Sequence, residues 1–222
     1  MRRFRVVDVP QRSPEWFAER CGLLTGSSAG DMLAKVKSGE AAARRDLRLR
    51  LVCERLTGRP EPNDYINADM QRGIDCEPLA LAAYEAVTGQ IAVTSGFIRS
   101  TELMAGCSLD AHVGDYEGLV SLKCPKSATH LGYLRDGVFP SRYTGQMLHE
   151  LWITGAAFYE FLSWDGRFPA ELQTFYVRVE RDDKQVEAYA KEALAFLAEV
   201  DRDVEALKTL TNLRGQLEAA IA

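Results

Sequence analysis

The chain is short of several things that would place it quickly: paired cysteines, histidine clusters, an excess of positive charge and long apolar runs. Its five cysteines (Cys21, Cys53, Cys76, Cys107, Cys124) are scattered and form no C-x-x-C pair, which argues against a zinc ribbon or a disulfide framework and for reduced, mostly buried thiols. The three histidines (His112, His130, His149) have no spacing that puts a ligand pair on one face, so they read as structural or exposed. No uninterrupted apolar stretch approaches ~20 residues, and the basic start Met1-Arg2-Arg3-Phe4-Arg5 leads into no signal-like apolar core, so neither a membrane span nor a secreted protein is expected. A net charge of -5 argues against a broadly basic nucleic-acid-binding surface. It does not exclude a narrow basic channel, because binding depends on local potential.

What is present is ordinary globular composition, 46% hydrophobic and 27% charged, in 222 residues that can bury a substantial core. No repeat, low-complexity tract or Pro/Gly/Ser-rich linker interrupts it, so residues 1–222 read as one domain with a helical C-terminal segment. Ser13-Pro14 predicts a helix start and Gly22 a stop. A short helix is expected to begin around Thr25 to Ser28. Longer helices are expected over Gly39 to Thr57 and Asn67 to Thr88, the latter kinked or restarted at Pro78. Between Ile91 and Cys124 short apolar runs separated by Gly, Asp and Ser read as three strands. Helices are expected near Ser127 to Arg135 and Ser141 to Gly155. Alternation at Phe175, Val177 and Val179 predicts a strand, and Asp183 to Glu218 reads as helix in two pieces. The class is α/β or α+β, a small mixed central sheet flanked by helices. Arg44, Arg45, Arg48 and Arg50 crowd one helix, as a solvated face or a DNA-facing one.

The most informative stretch is Cys107 to Pro125. Asp110 lies on a strand-like run before a turn, and the next apolar run delivers Lys123. A hard cation such as Mg2+ takes oxygen ligands, and phosphodiester cleavage at neutral pH commonly needs one. Asp110 suits the ligand role, and Lys123 could orient the attacking water or stabilise charge on the phosphate. Residues two apart on a strand share a face, so an acid is expected at position 121 beside Lys123. The chain has Ser121, a far weaker ligand for a hard cation. Glu117 lies about 13 Å away along an extended strand at ~3.3 Å per residue, on a turn, and is not expected to replace it.

These residues resemble the PD-(D/E)xK nuclease motif, and the order of further elements is similar to the phage lambda exonuclease branch, the YqaJ-type viral recombinases. Trp16-Phe17-Ala18-Glu19-Arg20-Cys21-Gly22-Leu23-Leu24-Thr25-Gly26-Ser27-Ser28 resembles that family's W-x-x-x-R-x-G-x-x-T-x-S element. Gly73 to Glu77 resembles its G-x-x-x-E, and Tyr143-Thr144-Gly145-Gln146 its Y-x-x-Q. The resemblance implies a metal site of Asp110, Glu77, the backbone carbonyl of Leu122 and position 121, with Asp110, Lys123, Glu77 and Ser121 as the catalytic set. It implies that Arg20, Ser27 and Gln146 bind the terminal 5′-phosphate of a DNA end. A guanidinium and a hydroxyl near a helix start suit that anion, although Ser27 reads equally as an N-cap and Glu77 as a first-turn acid. Tyr143 reads as a packing residue and Trp16 as core.

The implied protein is a Mg2+-dependent (Mn2+ substituting), processive 5′→3′ double-strand DNA exonuclease that leaves 3′ overhangs. It would work on double-stranded DNA ends in the cytosol of a bacterial host, as a homotrimeric ring, with a single-strand annealing protein as partner and no membrane. Ser121 implies an impaired form, either an active enzyme deliberately inactivated or a natural variant that cleaves little. Two rival readings stand: a non-catalytic DNA-end-binding protein of the same fold, and a PD-(D/E)xK nuclease of different polarity.

Overall fold

The computed structural model describes residues 3–61 and 67–221, with side chains to residue 210, so Met1 and Arg2 of the basic start lie outside the described residues. The strands are β1 (Phe4–Val7), β2 (Leu24–Thr25), β3 (Phe97–Ser100), β4 (Ala105–Ser108), β5 (Ala111–Val113), β6 (Gly118–Lys123), β7 (Phe158–Trp164) and β8 (Thr174–Glu180). The helices are α1 (Pro14–Arg20), α2 (Ala29–Met32), α3 (Ala42–Thr57), α4 (Ala68–Thr88), α5 (Ser127–Asp136), α6 (Thr144–Thr154) and α7 (Asp183–Ile221).

The mixed α/β class expected from the sequence is observed, with the strands divided between two mixed sheets. One has the order β1-β3-β4-β2 and the other β5-β6-β7-β8, with β6 and β7 parallel and the outer pairs antiparallel. The chain passes from the first sheet to the second through Leu109 and Asp110, between β4 and β5. A single bridge between Val93 and His112 joins the segment before β3 to the second sheet.

Local sequence explains most helix ends. Ser13 caps α1 by accepting the Trp16 N–H at 3.1 Å, with Pro14 at the first helical position. Asn67 caps α4 in the same way, and α3 and α4 end on Gly58 and Gly89 in the left-handed region. Three expectations fail. The stretch from Ile91 to Cys124 holds four strands, β3 to β6, rather than three, because the Leu109-Asp110 link divides one run between the two sheets. α4 continues through Pro78 without restarting, because packing of Ala80 and Tyr84 against the sheet outweighs one lost ladder hydrogen bond. The C-terminal segment is one helix of 39 residues rather than two.

Two buried layers flank the second sheet. Leu119 of β6 joins a core built with α3, α6 and α7 (Leu47, Leu51, Leu151, Tyr189, Phe196), whereas Val120 and Leu122 pack under α4 with Ala80 and Tyr84. Alternation therefore turns Ser121 and Lys123 toward the α6 and α7 side. Glu160 on β7 is fully buried and accepts hydrogen bonds from the Tyr84 and Tyr176 hydroxyls and from Gln90, which ties α4 to the sheet. The arginine cluster of α3 is spent internally. Arg44 pairs with Glu40 and Glu199, and Arg48 with Glu40 and Asp203, which ties α3 to α7, whereas Arg45 and Arg50 pair within α3 with Asp46 and Glu54.

Candidate active site

Asp110 stands in the two-residue link between the sheets, and its Oδ2 gathers three donors from β6. These are the Leu122 N–H at 2.8 Å, the Lys123 ammonium at 3.2 Å and the Ser121 hydroxyl at 3.3 Å. The acid and the lysine are thus brought together as the family resemblance implied, and the Leu122 peptide comes to the same carboxylate. Glu77, carried by α4, is close enough for Asp110 to act on it. Burial first, then the Asp110 charge, raise its pKa, with Arg12 and Lys123 opposing. Burial alone would lower the Lys123 pKa, but the charges of Asp110 and Glu150 outweigh it and the net shift is upward.

Glu150 escaped the sequence reading. It is 3% exposed on α6, and its carboxylate accepts the Gln146 amide at 2.8 Å. Burial pushes its pKa up to about 7. The available signal was the spacing Tyr143, Gln146, Glu150, which puts all three on one helical face. Gly26 belongs to the 3-10 turn Gly26–Ser28, where a Cβ would stand 3.0 Å from Glu150 Oε1, so any side chain there would crowd the Glu150 carboxylate.

A second cluster forms around Arg20. Its guanidinium donates to Ser108 Oγ at 3.0 Å, to Ser27 Oγ at 3.3 Å and to Thr25 Oγ1 at 3.5 Å, and lies 4.0 Å over the Trp16 ring. Among the described residues no carboxylate pairs with it within salt-bridge distance. Burial first, then the neighbouring Arg50 charge, pull its pKa down to about 10. Ser27 does not cap this turn: Ser28 Oγ and Thr25 close the cap between themselves, which leaves the exposed Ser27 hydroxyl facing Arg20. Trp16 packs on the small core of Val7, Leu23 and Phe97 and also walls this pocket, donating its indole N–H to Ser108 Oγ at 3.2 Å. Tyr143 packs on Phe161 and lies near the Lys123 ammonium. The histidines are elsewhere. His149 bonds Tyr189 and the Gly106 carbonyl, His130 bonds Ser163 and Leu172, and His112 stacks on Tyr116. The five cysteines are unpaired thiols.

Ser108 ends β4 two residues before Asp110, and Gly26 packs on Glu150 and Gln146, so the two clusters are neighbours. The donors around Asp110 and Glu77 are hard oxygens, and repulsion between the two acids is what a cation relieves. Among the described residues no three His, Cys, Asp or Glu side chains converge on one point. The buried Tyr159 hydroxyl interacts with Ser121 and Glu150 but closes a hydrogen bond to neither, leaving an orphaned polar atom beside Ser121. The residues present therefore fit a divalent cation with one anionic donor fewer.

An acid in the link after β4 facing a lysine at the end of β6, in this α/β frame, fits the PD-(D/E)xK nuclease class of fold. The model of the YqaJ-like viral recombinase domain matches residues 15–157, and the chain belongs to that family. It is similar to the crystal structure of an alkaline exonuclease (LHK-Exo) from Laribacter hongkongensis, with 38% identity, 90% of this chain and 98% of that one covered, and a TM-score of 0.81. The same values hold for LHK-Exo in complex with dAMP. A phage related exonuclease from Haemophilus somnus 129PT shares the fold at 13% identity, with 83% and 96% of the two chains covered and a TM-score of 0.62. No curated protein matches the chain.

Proposed function

We propose that the chain is a Mg2+-dependent, processive 5′→3′ double-strand DNA exonuclease that leaves 3′ single-stranded overhangs, weakened by Ser121. The observation that carries this reading is the half-buried Arg20 guanidinium, held among hydroxyls with no carboxylate at salt-bridge distance among the described residues and joined through Ser108 to the end of β4, two residues before Asp110. A guanidinium so placed is short of an anion, and a terminal 5′-phosphate supplies one. Ser27 would add a hydroxyl donor and Gln146 its remaining amide hydrogen.

Asp110, Glu77 and the Leu122 carbonyl would hold the cation, with Ser121 a weak fourth donor and Mn2+ an acceptable substitute. A bound cation supplies Lewis acidity toward the scissile phosphate and a more acidic water. Asp110 holds Lys123 against the reacting position, where the ammonium orients the attacking water and meets charge developing on the phosphate. Arg20 fixes the 5′ terminus, which sets the polarity and leaves the 3′-ended strand as product. The family resemblance supports a homotrimeric ring around DNA, a single-strand annealing protein as recipient of the product, and a bacterial host cytosol as the setting. Ser121 favours one rival reading, a DNA-end-binding protein that cleaves little or nothing.

Digestion of linear duplexes labelled on each strand tests this. The expected result is release of mononucleotides from 5′ ends only, abolished by EDTA, with the 3′-ended strand left intact. Release from 3′ ends, or nicking of closed circles, would overturn the polarity. End binding without any Mg2+-dependent release would establish the rival.

A further inference from the structure

Ser121 is buried, 2% exposed, on the strand face that turns toward α6. That face is not without an acid. Glu150, also buried, holds its carboxylate beside the Gln146 amide and Gly26, and the orphaned Tyr159 hydroxyl of β7 interacts with both Glu150 and Ser121. Lys123, two residues along β6 from Ser121, feels the charges of Asp110 and Glu150 together. Glu160, the next residue on β7, turns to the opposite face and is held there by Tyr84 and Tyr176. Glu117, nearer in sequence, is exposed on the turn before β6. Glu150 is thus the one acid among these that shares a buried face with Ser121.

We infer that Glu150 stands in for the acid that β6 lacks at position 121, supplying from helix α6 the third negative charge of the cation site. Its carboxylate touches Gln146 rather than the reacting atoms, so it is a positioning residue acting through space on Lys123 and on a bound cation. The same side chain links the phosphate-facing Gln146 to the catalytic lysine. This inference rests on the cation-site reading above, and deepens it by naming which side chain compensates for Ser121.

Mn2+ binding to the DNA-free protein, read from the EPR signal of free Mn2+ at pH 8.5, tests it without any cleavage. Removing the buried charge that acts on Lys123 from α6 should weaken binding about tenfold or more in E150Q. E150D, which keeps the charge, should stay within about threefold of the parent. Against S121E, whose restored acid makes the substitute redundant, E150Q should cost less than about threefold. Unchanged binding in E150Q, or an equal loss in both backgrounds, would overturn the inference. If E150Q melts below the assay temperature, E150D decides: retained binding supports the charge role, and a loss near tenfold despite the retained charge assigns Glu150 to packing and overturns it. D110A separates the two levels. If D110A loses Mn2+ while E150Q does not, the inference alone fails, and if D110A binds like the parent, the cation-site reading fails.

Discussion

Replacing Arg20 with methionine should raise stability and abolish the preference for a phosphorylated end. Holding the guanidinium charged in this pocket, where its pKa falls to about 10, costs ~3 kcal/mol relative to water. Hydroxyls of Ser108, Thr25 and Ser27 offset only part of that cost. A 5′-phosphate recovers it, so a duplex with 5′-phosphate ends should be bound and digested on the order of 100-fold better than one with 5′-hydroxyl ends. Methionine keeps contact with the Trp16 and Phe97 rings. R20M should therefore melt at or a few degrees above the parent, at ~2–4 °C per kcal/mol for a chain of this size. Its activity on hydroxyl ends should change by less than about threefold, while the phosphate preference disappears. Paired calorimetry and end-digestion assays read both quantities. A lower melting temperature with equal loss on both substrates would refute the reasoning and make Arg20 structural, and an intact preference would put the phosphate pocket elsewhere.

Restoring an acid with S121E should raise the digestion rate on linear duplex by at least ~100-fold, the ~3 kcal/mol of one preorganised charge contact, and comparable rates would remove Ser121 from the account. In that background, D110A and K123A should abolish cleavage yet leave DNA-end binding in Ca2+ largely intact, as measured by gel shift. A folded mutant that still cleaves would lose its assigned role. Glu150 makes stability depend on pH in metal-free buffer. Its folded pKa of about 7 lies above the ordinary carboxyl value, so the native state keeps a proton that the unfolded chain releases. Stability should then fall as pH rises from ~4.5 to ~7, and denaturant melts of E150Q should show a flatter profile across that window.

The helices were legible where a cap and a stop agreed, as with Ser13-Pro14 and with Asn67 and Gly89 around α4. Strand β7 was not. Phe158-Tyr159-Glu160-Phe161-Leu162-Ser163-Trp164 lies in the middle of its sheet with both faces covered, so it shows no alternation, and its polar Glu160 and Ser163 are buried. The two-residue β2 carries too little pattern to find. At the site, the pairing of Asp110 with Lys123 was implied by the family resemblance, with each residue on its own apolar run. The neighbourhood of Arg20 and Asp110 was not, because it depends on Ser108, an unremarked hydroxyl at the end of β4. Glu150 carries no motif that marks it out in the sequence. Only packing against Gly26 and β6 shows its surroundings.

Asp110 belongs to neither sheet. One sheet ends at Ser108, where Arg20 is anchored, and the other begins at Ala111, beside the strand that carries Lys123. The distance between the Arg20 pocket and the lysine is therefore a property of how the two sheets dock rather than of either one's interior. A small slippage at that seam would leave every strand paired and every core residue buried, yet would separate end capture from bond cleavage. Opening of one cooperative unit costs less than melting the whole chain, so under heat or denaturant this protein should fail as a nuclease while its spectrum still reports a folded molecule.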